Sequence, residues 1–478
     1  MKNKFIYGLA LMSLVATSCT KNFEEMNTDK KKPTEVPAQP LFANAALELN
    51  RQVVSLNVNE NNLKLWSQYI TQTTYIDESN YNLVNRNIPQ TEWRNMYREI
   101  LKDLSESVSA TNKESWVTPE DKAKQSNRLA IMEIYTIYAY ERLTTIFGDV
   151  PYSEALSETN LPKYDDAETI SKDLVSRLDA VIAKLDDSNG SFDAGFDNLF
   201  GGDVAMWKKF ANGLKLKIAM TFADADAAFA EATFTSAQAN VFSSQAEIAS
   251  FTFSSVAPNT NPMWEDLVQS GRGDYVGCKT TIDTMLAMND PRIGIYYTPA
   301  PGGTTFIGGV YGAAGNKYAT MSHIGDYFHQ KTQPTILMDY VEMEFYKAEA
   351  AARGWGVTGT AKEHYDNAVT ASINYWDANA NASAYLAGPF VDFASGTPMD
   401  RIAVQAWLAY YNRGLLGWTT NRRLDIPVLP AAANSGEFTP ARYTYPINEQ
   451  TLNGGSYGSA SSAIGGDKKA TKLWWDKK

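Results

Sequence analysis

LMDYVEMEFYKAEAAARG at 337–354 and TAKEHYDNAVTASINYW at 360–376 decide how this chain folds. In the first run Tyr340, Phe345, Ala348 and Ala352 recur at helical spacing, and Gly354 stops it. In the second, Thr360 and Glu363 form a capping box, and Tyr365, Ala368, Val369, Ser372 and Trp376 make the inward stripe. The alanines at 348 and 350–352 permit close helix approach. Length and small-residue spacing match a tetratricopeptide-type hairpin. Ser126–Phe147 with Asp166–Asp187 reads as a second one. A strict repeat is absent, so the pattern is TPR-like, a stacked scaffold that rarely does chemistry itself.

Outward from these hairpins, helices are predicted over Leu41–Asn57 and Asn62–Thr71, and again from Thr91. Thr118-Pro119-Glu120-Asp121 starts a helix that runs to Phe147, and its Leu129–Tyr140 middle is apolar on nearly every side. Asp165–Glu168 caps the next helix, Asp203 starts another, and further helices fall at Thr280–Met288 and Asp400–Trp418. From Ala223 to Gln333 the pattern weakens, and the tail from Arg422 is irregular. The expected fold is mainly α, a TPR-like helical scaffold over about 41–228 and 335–420 with a loop-rich part over about 229–334 and 421–478, in one domain spanning 41–478.

The first residues carry an address. Lys2 and Lys4 precede an apolar run, Phe5–Ala16, that is too short to span a bilayer, and Ala16-Thr17-Ser18-Cys19 closes it. This predicts a signal peptide at 1–18, acylation of Cys19 as the mature N-terminus, and an extended polar tether over 19–40 with prolines at 33, 37 and 40.

Composition narrows the chemistry. A net charge of −11 becomes −13 once Lys2 and Lys4 leave with the leader, which disfavours nucleic acid and anionic lipid as partners. The second cysteine, Cys278, is left without a partner and reads as a packed apolar residue. Three histidines, His323, His329 and His364, form no HExxH, and neither GxSxG nor CxxC is present. The sequence therefore names no catalytic residue, cofactor or metal site. His364 reads as a partly exposed helix residue, while His323 and His329 fall in a loop that lines a site only weakly. Gly271–Gly277 lacks the spacing of a nucleotide-binding loop. With 11 Trp and 26 Tyr, aromatic loops suit stacking on a sugar or a peptide.

A set of landmarks then recurs in order: Gly148-Asp149-Val150-Pro151-Tyr152, Gly201-Gly202-Asp203, Asn289-Asp290-Pro291-Arg292, Ala348-Glu349-Ala350, Gln405-Ala406-Trp407, Asn421-Arg422-Arg423, Arg442–Pro446 and Trp474-Trp475-Asp476. Beneath a lipobox, this set resembles the SusD/RagB-like family of nutrient-binding outer-membrane lipoproteins, in its SusD-like second branch. The resemblance implies a non-enzymatic, lipid-anchored protein on the outer face of the outer membrane. It would capture an oligosaccharide or peptide for a TonB-dependent, SusC-like transporter. A surface glycosidase is the alternative. Most landmarks read as structural, with Arg422 and Arg423 holding the tail. Ala406, Tyr410, Tyr411 and Asn421 depart from the family pattern and are assigned to packing at the transporter contact. In this family the loop after the second helix lies near the ligand, which suggests Tyr75, Asp77, Asn80 and Tyr81 as ligand contacts. The loop at 259–275 adds Trp264, Arg272, Asp274 and Tyr275.

Overall fold

A computed structural model describes residues 36–377 and 379–478. The leader, Cys19 and the tether as far as residue 35 lie outside the described residues. No described helix is long and apolar enough to cross a membrane.

The longest helix, Pro119–Phe147, begins where its sequence says it should. Thr118 accepts a hydrogen bond from the Asp121 amide, Asp121 returns one to the Thr118 amide, and Pro119 takes the first position. From Ala130 to Phe147 almost every residue is buried, so the helix runs between others and not over a surface. Ala167–Lys184 packs against it, and Val204–Thr221 packs in turn on Ala167–Lys184. Asp166 and Asp203 cap these two helices through the Thr169 and Met206 amides. The first cap lies within the expected 165–168, where Asp166 accepts from both the amide and the hydroxyl of Thr169. At the end of the long helix Gly148 turns the chain at φ +85°, where a Cβ would also meet Leu473 at 3.0 Å.

The second hairpin is Tyr340–Ala352 against Ala361–Trp376, with Thr360 and Glu363 in the expected reciprocal box. Pro398–Ala409 packs on both of its helices, and Gly414–Leu424 follows. The predicted Asp400–Trp418 helix is therefore two helices, broken where Arg413 turns inward.

Other differences share one cause: short strands are fixed by distant partners. Thr335–Asp339 is a strand (β6 below) that feeds the Tyr340 helix through an Asp339 cap, so that helix starts at Tyr340 and not at Leu337. Asn62–Thr71 is a single turn, Leu63–Trp66, followed by a strand at Ile70–Gln72. There are three antiparallel pairs. The β1 strand Ile70–Gln72 pairs with β5, Tyr275–Gly277, and β2, Val150–Pro151, pairs with β3, Tyr164–Asp165. The β4 strand Ile248–Phe251 pairs with β6, Thr335–Asp339. Ala227–Ala237 is helical within the stretch expected to be irregular, as are Ile447–Leu452 and Gly454–Ala463 in the tail. The first helix begins at Ala38, inside the predicted tether.

The landmark motifs meet one another in the core. Arg292 is fully buried, bonded to Asp290 at 2.6 Å and to Gln405 and Ser372 at 2.9 Å. Arg413 binds Asp339 at 3.0 Å and Glu342 at 2.9 Å. Arg423 binds Glu349 at 2.7 Å, so it ties two scaffold helices and does not hold the tail. Arg422 does hold it, through the Ala441 carbonyl at 2.7 Å and the Trp475 ring at 4.7 Å. Arg442 joins the Phe147 carbonyl to Asp467. His364 is buried between Glu344 and the Thr358 carbonyl, each at 2.8 Å, so it is a core ion pair and not a partly exposed residue. The departures assigned to a transporter contact are internal as well. Ala406, Tyr410 and Tyr411 are buried, Tyr411 stacks on Tyr296 at 4.3 Å, and Asn421 donates to the Pro427 carbonyl at 2.6 Å.

Removing Arg413 strands two buried carboxylates. Arg413→Met is expected to lower unfolding stability by about 3–5 kcal/mol in urea titration, with partial recovery when Asp339→Asn and Glu342→Gln are added. Equal stability of the single and triple variants would show that the carboxylates are not what the arginine neutralises.

Candidate functional site

Two segments 200 residues apart meet at the β1–β5 pair and continue past it. Beyond Gln72, the Thr73 amide donates to the Asp274 carbonyl at 2.9 Å, and the Thr73 hydroxyl donates to the Gly273 carbonyl at 2.8 Å. On its other side β5 is held by Ser322 and Gly309 backbone groups. This ladder opens a cleft of about 120 Å³ whose wall includes Gln72, Thr74, Tyr75, Arg272, Asp274 and Tyr275.

Gln72 shapes the loop above the ladder. Its amide nitrogen donates to the Tyr75 carbonyl at 2.9 Å and to Glu78 at 2.8 Å, and its oxygen accepts from the Ser79 amide and hydroxyl. Glu78 is buried and also bonded to Arg86, another residue of the cleft wall. The loop is held tightly enough to keep Tyr75 at φ +51°, a left-handed conformation that costs a residue with a Cβ about 1 kcal/mol or more. The result is a tyrosine ring that is 64% exposed at the cleft mouth.

The facing wall is anchored from behind by Arg51, outside the cleft lining, which binds Glu265 at 3.0 Å and the Thr260 carbonyl at 2.9 Å. That anchors a short helical stretch, Pro262–Trp264 running into Glu265–Gln269, where a loop was expected. Asp266 on this stretch lines the cleft. Burial, reinforced by the charges of Glu60 and Glu265, pushes its pKa up to about 7 against the opposing pull of Lys64 and Arg272. Arg272 bonds Asp274 at 2.6 Å and lies over the Tyr75 ring at 5.7 Å. Next to it, the Tyr318 ring packs against the backbone of Gly273, where a Cβ would stand 2.9 Å from the ring, and His323 stacks on the same ring at 3.6 Å.

Of the residues expected at the ligand, the structure brings together Tyr75, Arg272, Asp274 and Tyr275. Tyr275 is mostly buried, and its hydroxyl donates to the Leu56 carbonyl at 3.0 Å. The other four stand apart. Tyr81 is fully buried against Trp66 and Tyr311, a core ring with no face left for a ligand. Asn80 is spent on the Ile76 and Gly312 carbonyls and the Ser435 amide. Asp77 is exposed beyond the cleft, and Trp264 lies half-buried under Lys331 at 4.7 Å. Asp266, Arg86, Gln72 and Tyr318 were not singled out by sequence, because no helix or strand periodicity marks the loop bonds of Gln72 and Arg86, and Asp266 and Tyr318 face residues distant in the chain. His329 lies beside Asp326 and takes no part in the cleft wall. Cys278 is buried and its thiol is pushed up to about 11 by burial, so it packs and does not react. Asp197, in the acidic loop before Asp203, is occupied by three backbone amides and the Trp207 indole. Among the described residues no three His, Cys, Asp or Glu side chains gather as metal ligands. A wider groove of about 450 Å³ runs past Pro40, Leu47, Phe196 and Phe253, without a charged side chain in its wall.

A family model described as "Starch-binding associating with outer membrane" matches residues 30–446. The chain belongs to this SusD-like family. Solved relatives agree. A chitin-binding protein is 26% identical, covering 92% of this chain and 100% of its own, with a TM-score of 0.80. A chitin-binding SusD homolog from Flavobacterium johnsoniae is 24% identical over 92% of this chain and 98% of its own, at 0.78. A SusD-like protein from Bacteroides thetaiotaomicron is 22% identical over 92% and 99%, at 0.77. The last two establish the shared fold. Comparison with curated proteins gives no match. The SusD-like scaffold is thus the helical TPR-like part, and the cleft of this SusD-like chain sits where β1 and β5 join it to the loops.

Gln72→Leu is expected to release the loop over the cleft. Amides of residues 73–82 should exchange faster, with about 2 kcal/mol lost in stability, while those of Val204–Thr221 keep their protection. Unchanged exchange in the loop would mean that Gln72 does not hold it.

Proposed function

We propose that this protein is a non-catalytic surface lipoprotein of the outer membrane that captures an oligosaccharide at the Tyr75–Arg272 cleft. It delivers the ligand to a TonB-dependent, SusC-like transporter. The observation that carries this reading is the exposed Tyr75 ring held at the mouth of a polar cleft, in a chain of a starch-binding family. A flat amphipathic ring stacks on the apolar face of a sugar, while the Asp, Arg and Thr groups of the wall meet its hydroxyls. The chitin-binding protein of the same fold, 26% identical, supports a glycan. A peptide adding itself as a strand finds the outer edge of β5 already bonded to Ser322 and Gly309.

The glycosidase alternative needs a free carboxylate beside a protonated one. In the cleft Asp274 is tied to Arg272 at 2.6 Å and to the Thr74 hydroxyl at 2.9 Å, which favours positioning over proton transfer. Calorimetry with an N-acetylglucosamine tetramer should give binding without products, and Tyr75→Ala should weaken it by about 10-fold. Released shorter sugars that vanish with Asp266→Asn would replace binding by hydrolysis as the function.

Cys19→Ala in the full chain is expected to leave that affinity unchanged while moving the protein out of the membrane fraction of cells. A variant that stays with the membrane would remove the lipid anchor from this reading.

A further inference from the structure

The cleft keeps one charge that its walls do not neutralise. Arg272 is committed to Asp274, Arg86 to Glu78, and Arg51 to Glu265. Asp266 lines the same cleft, half-buried, yet among the described residues its carboxylate has neither a hydrogen-bond donor nor an ion-pair partner. The charged groups that face it are Glu60 and Glu265, of its own sign, and Lys64 and Arg272. Lys64 is buried behind the wall and donates to the Val54 and Ser55 carbonyls, and burial lowers its pKa to about 7. It therefore supplies only part of a positive charge near neutrality. A carboxylate in a partly dry wall beside two others of its own sign is short of a cation.

We infer that Asp266 makes the cleft selective for oligosaccharides bearing a protonated amine, so that sugars with free amino groups bind in preference to neutral or uronic ones. This rests on the carbohydrate-binding reading above. An ammonium group carries one charge and up to three donors, which suits one unpaired carboxylate. Calcium needs six or more oxygens, and of the neighbouring carboxylates Asp274, Glu78 and Glu265 are taken by arginines while Glu60 accepts from the Ser55 hydroxyl. A uronate would add a further negative charge beside Asp266, Glu60 and Glu265. A neutral hydroxyl makes one hydrogen bond and leaves the charge unpaired.

Binding of an amine is coupled to protons. Near neutrality a substantial fraction of the free protein carries a proton on Asp266, and pairing with an ammonium expels it. Affinity for the amine therefore passes through a maximum near neutrality: below it Asp266 takes up a proton, and above it the sugar ammonium, a weak base, gives its own up. An acetylated sugar lacks this dependence.

The test is calorimetry on the purified full chain with three tetramers, of glucosamine, of N-acetylglucosamine and of galacturonic acid. At pH near 7 the glucosamine tetramer should bind about 10-fold tighter than the acetylated one, with galacturonate weakest. Asp266→Asn should bring the ratio of the first two close to one. The pH profile of the unsubstituted protein tests the same point without relying on the variant's folding. Tyr75-dependent binding of the acetylated tetramer with no preference for the amine would overturn the inference and leave the binding function standing. Failure to bind any of the three would overturn both.

Discussion

Buried charge is the constraint around which this protein is arranged. An arginine taken out of water costs several kcal/mol unless a carboxylate and carbonyl groups meet it, and here all but Asp290 come from remote parts of the chain. Arg142 meets Glu92, Arg292 meets Asp290 and Gln405, Arg413 meets Asp339 and Glu342, and Arg423 meets Glu349. Each pair is buried, so each specifies one mutual position of two elements and penalises every other. Alanine-faced helices that could slide over one another are pinned at defined registers. Landmarks far apart in the sequence thus meet in the core: Glu349 and Arg423 are the two halves of one ion pair, and Arg292 reaches Gln405.

The same rule is relaxed at the cleft. Lys64 is buried against carbonyls with no carboxylate in contact, and Asp266 stands in the wall without a partner. Arg422 shares this lack of a carboxylate, being met by carbonyl groups and the Trp418 and Trp475 rings, whereas Arg142, Arg292, Arg413 and Arg423 are each matched. Tyr75 at the cleft mouth carries backbone strain. Gln72 and Glu78 hold an aromatic residue in a backbone conformation it does not favour, so the ring is in place before any ligand arrives. Preorganisation moves the ordering cost from binding to folding, where the large core absorbs it.

How much of this was legible in the sequence follows from the range of the interactions. The caps at Thr118, Asp203 and Thr360, and the apolar stripe of the long helix, depend on neighbours within a turn or two, and each lies where the sequence places it. The β1, β4 and β6 strands do not announce themselves, because three to five residues become a strand only when a distant segment supplies its hydrogen bonds. The Gly454–Ala463 helix has a composition that disfavours helix and buries only Ala460, so its existence is set by what it packs upon. At the cleft, Tyr75, Arg272 and Asp274 were within reach because they are conspicuous residues in polar loops. Tyr81 was misleading for the same reason: its ring is equally conspicuous and lies wholly in the core.

These two ranges of interaction divide the labour in the molecule. Long-range ion pairs and helix packing fix the scaffold, and almost none of those residues face the cleft. The cleft is built from a three-residue strand pair, one glutamine and a short helical turn, none of which belongs to the buried arginine pairs of the scaffold. A replacement at 75, 266 or 272 changes which ring, charge or hydrogen-bond donor lines the cleft, while Arg292, Arg413 and Arg423 keep the helices where they are. Solved relatives barely a quarter identical keep the whole architecture, as such a division requires. On the proposed site, ligand selectivity would be a property of a few side chains around β1 and β5, carried by a frame whose buried ion pairs lie elsewhere.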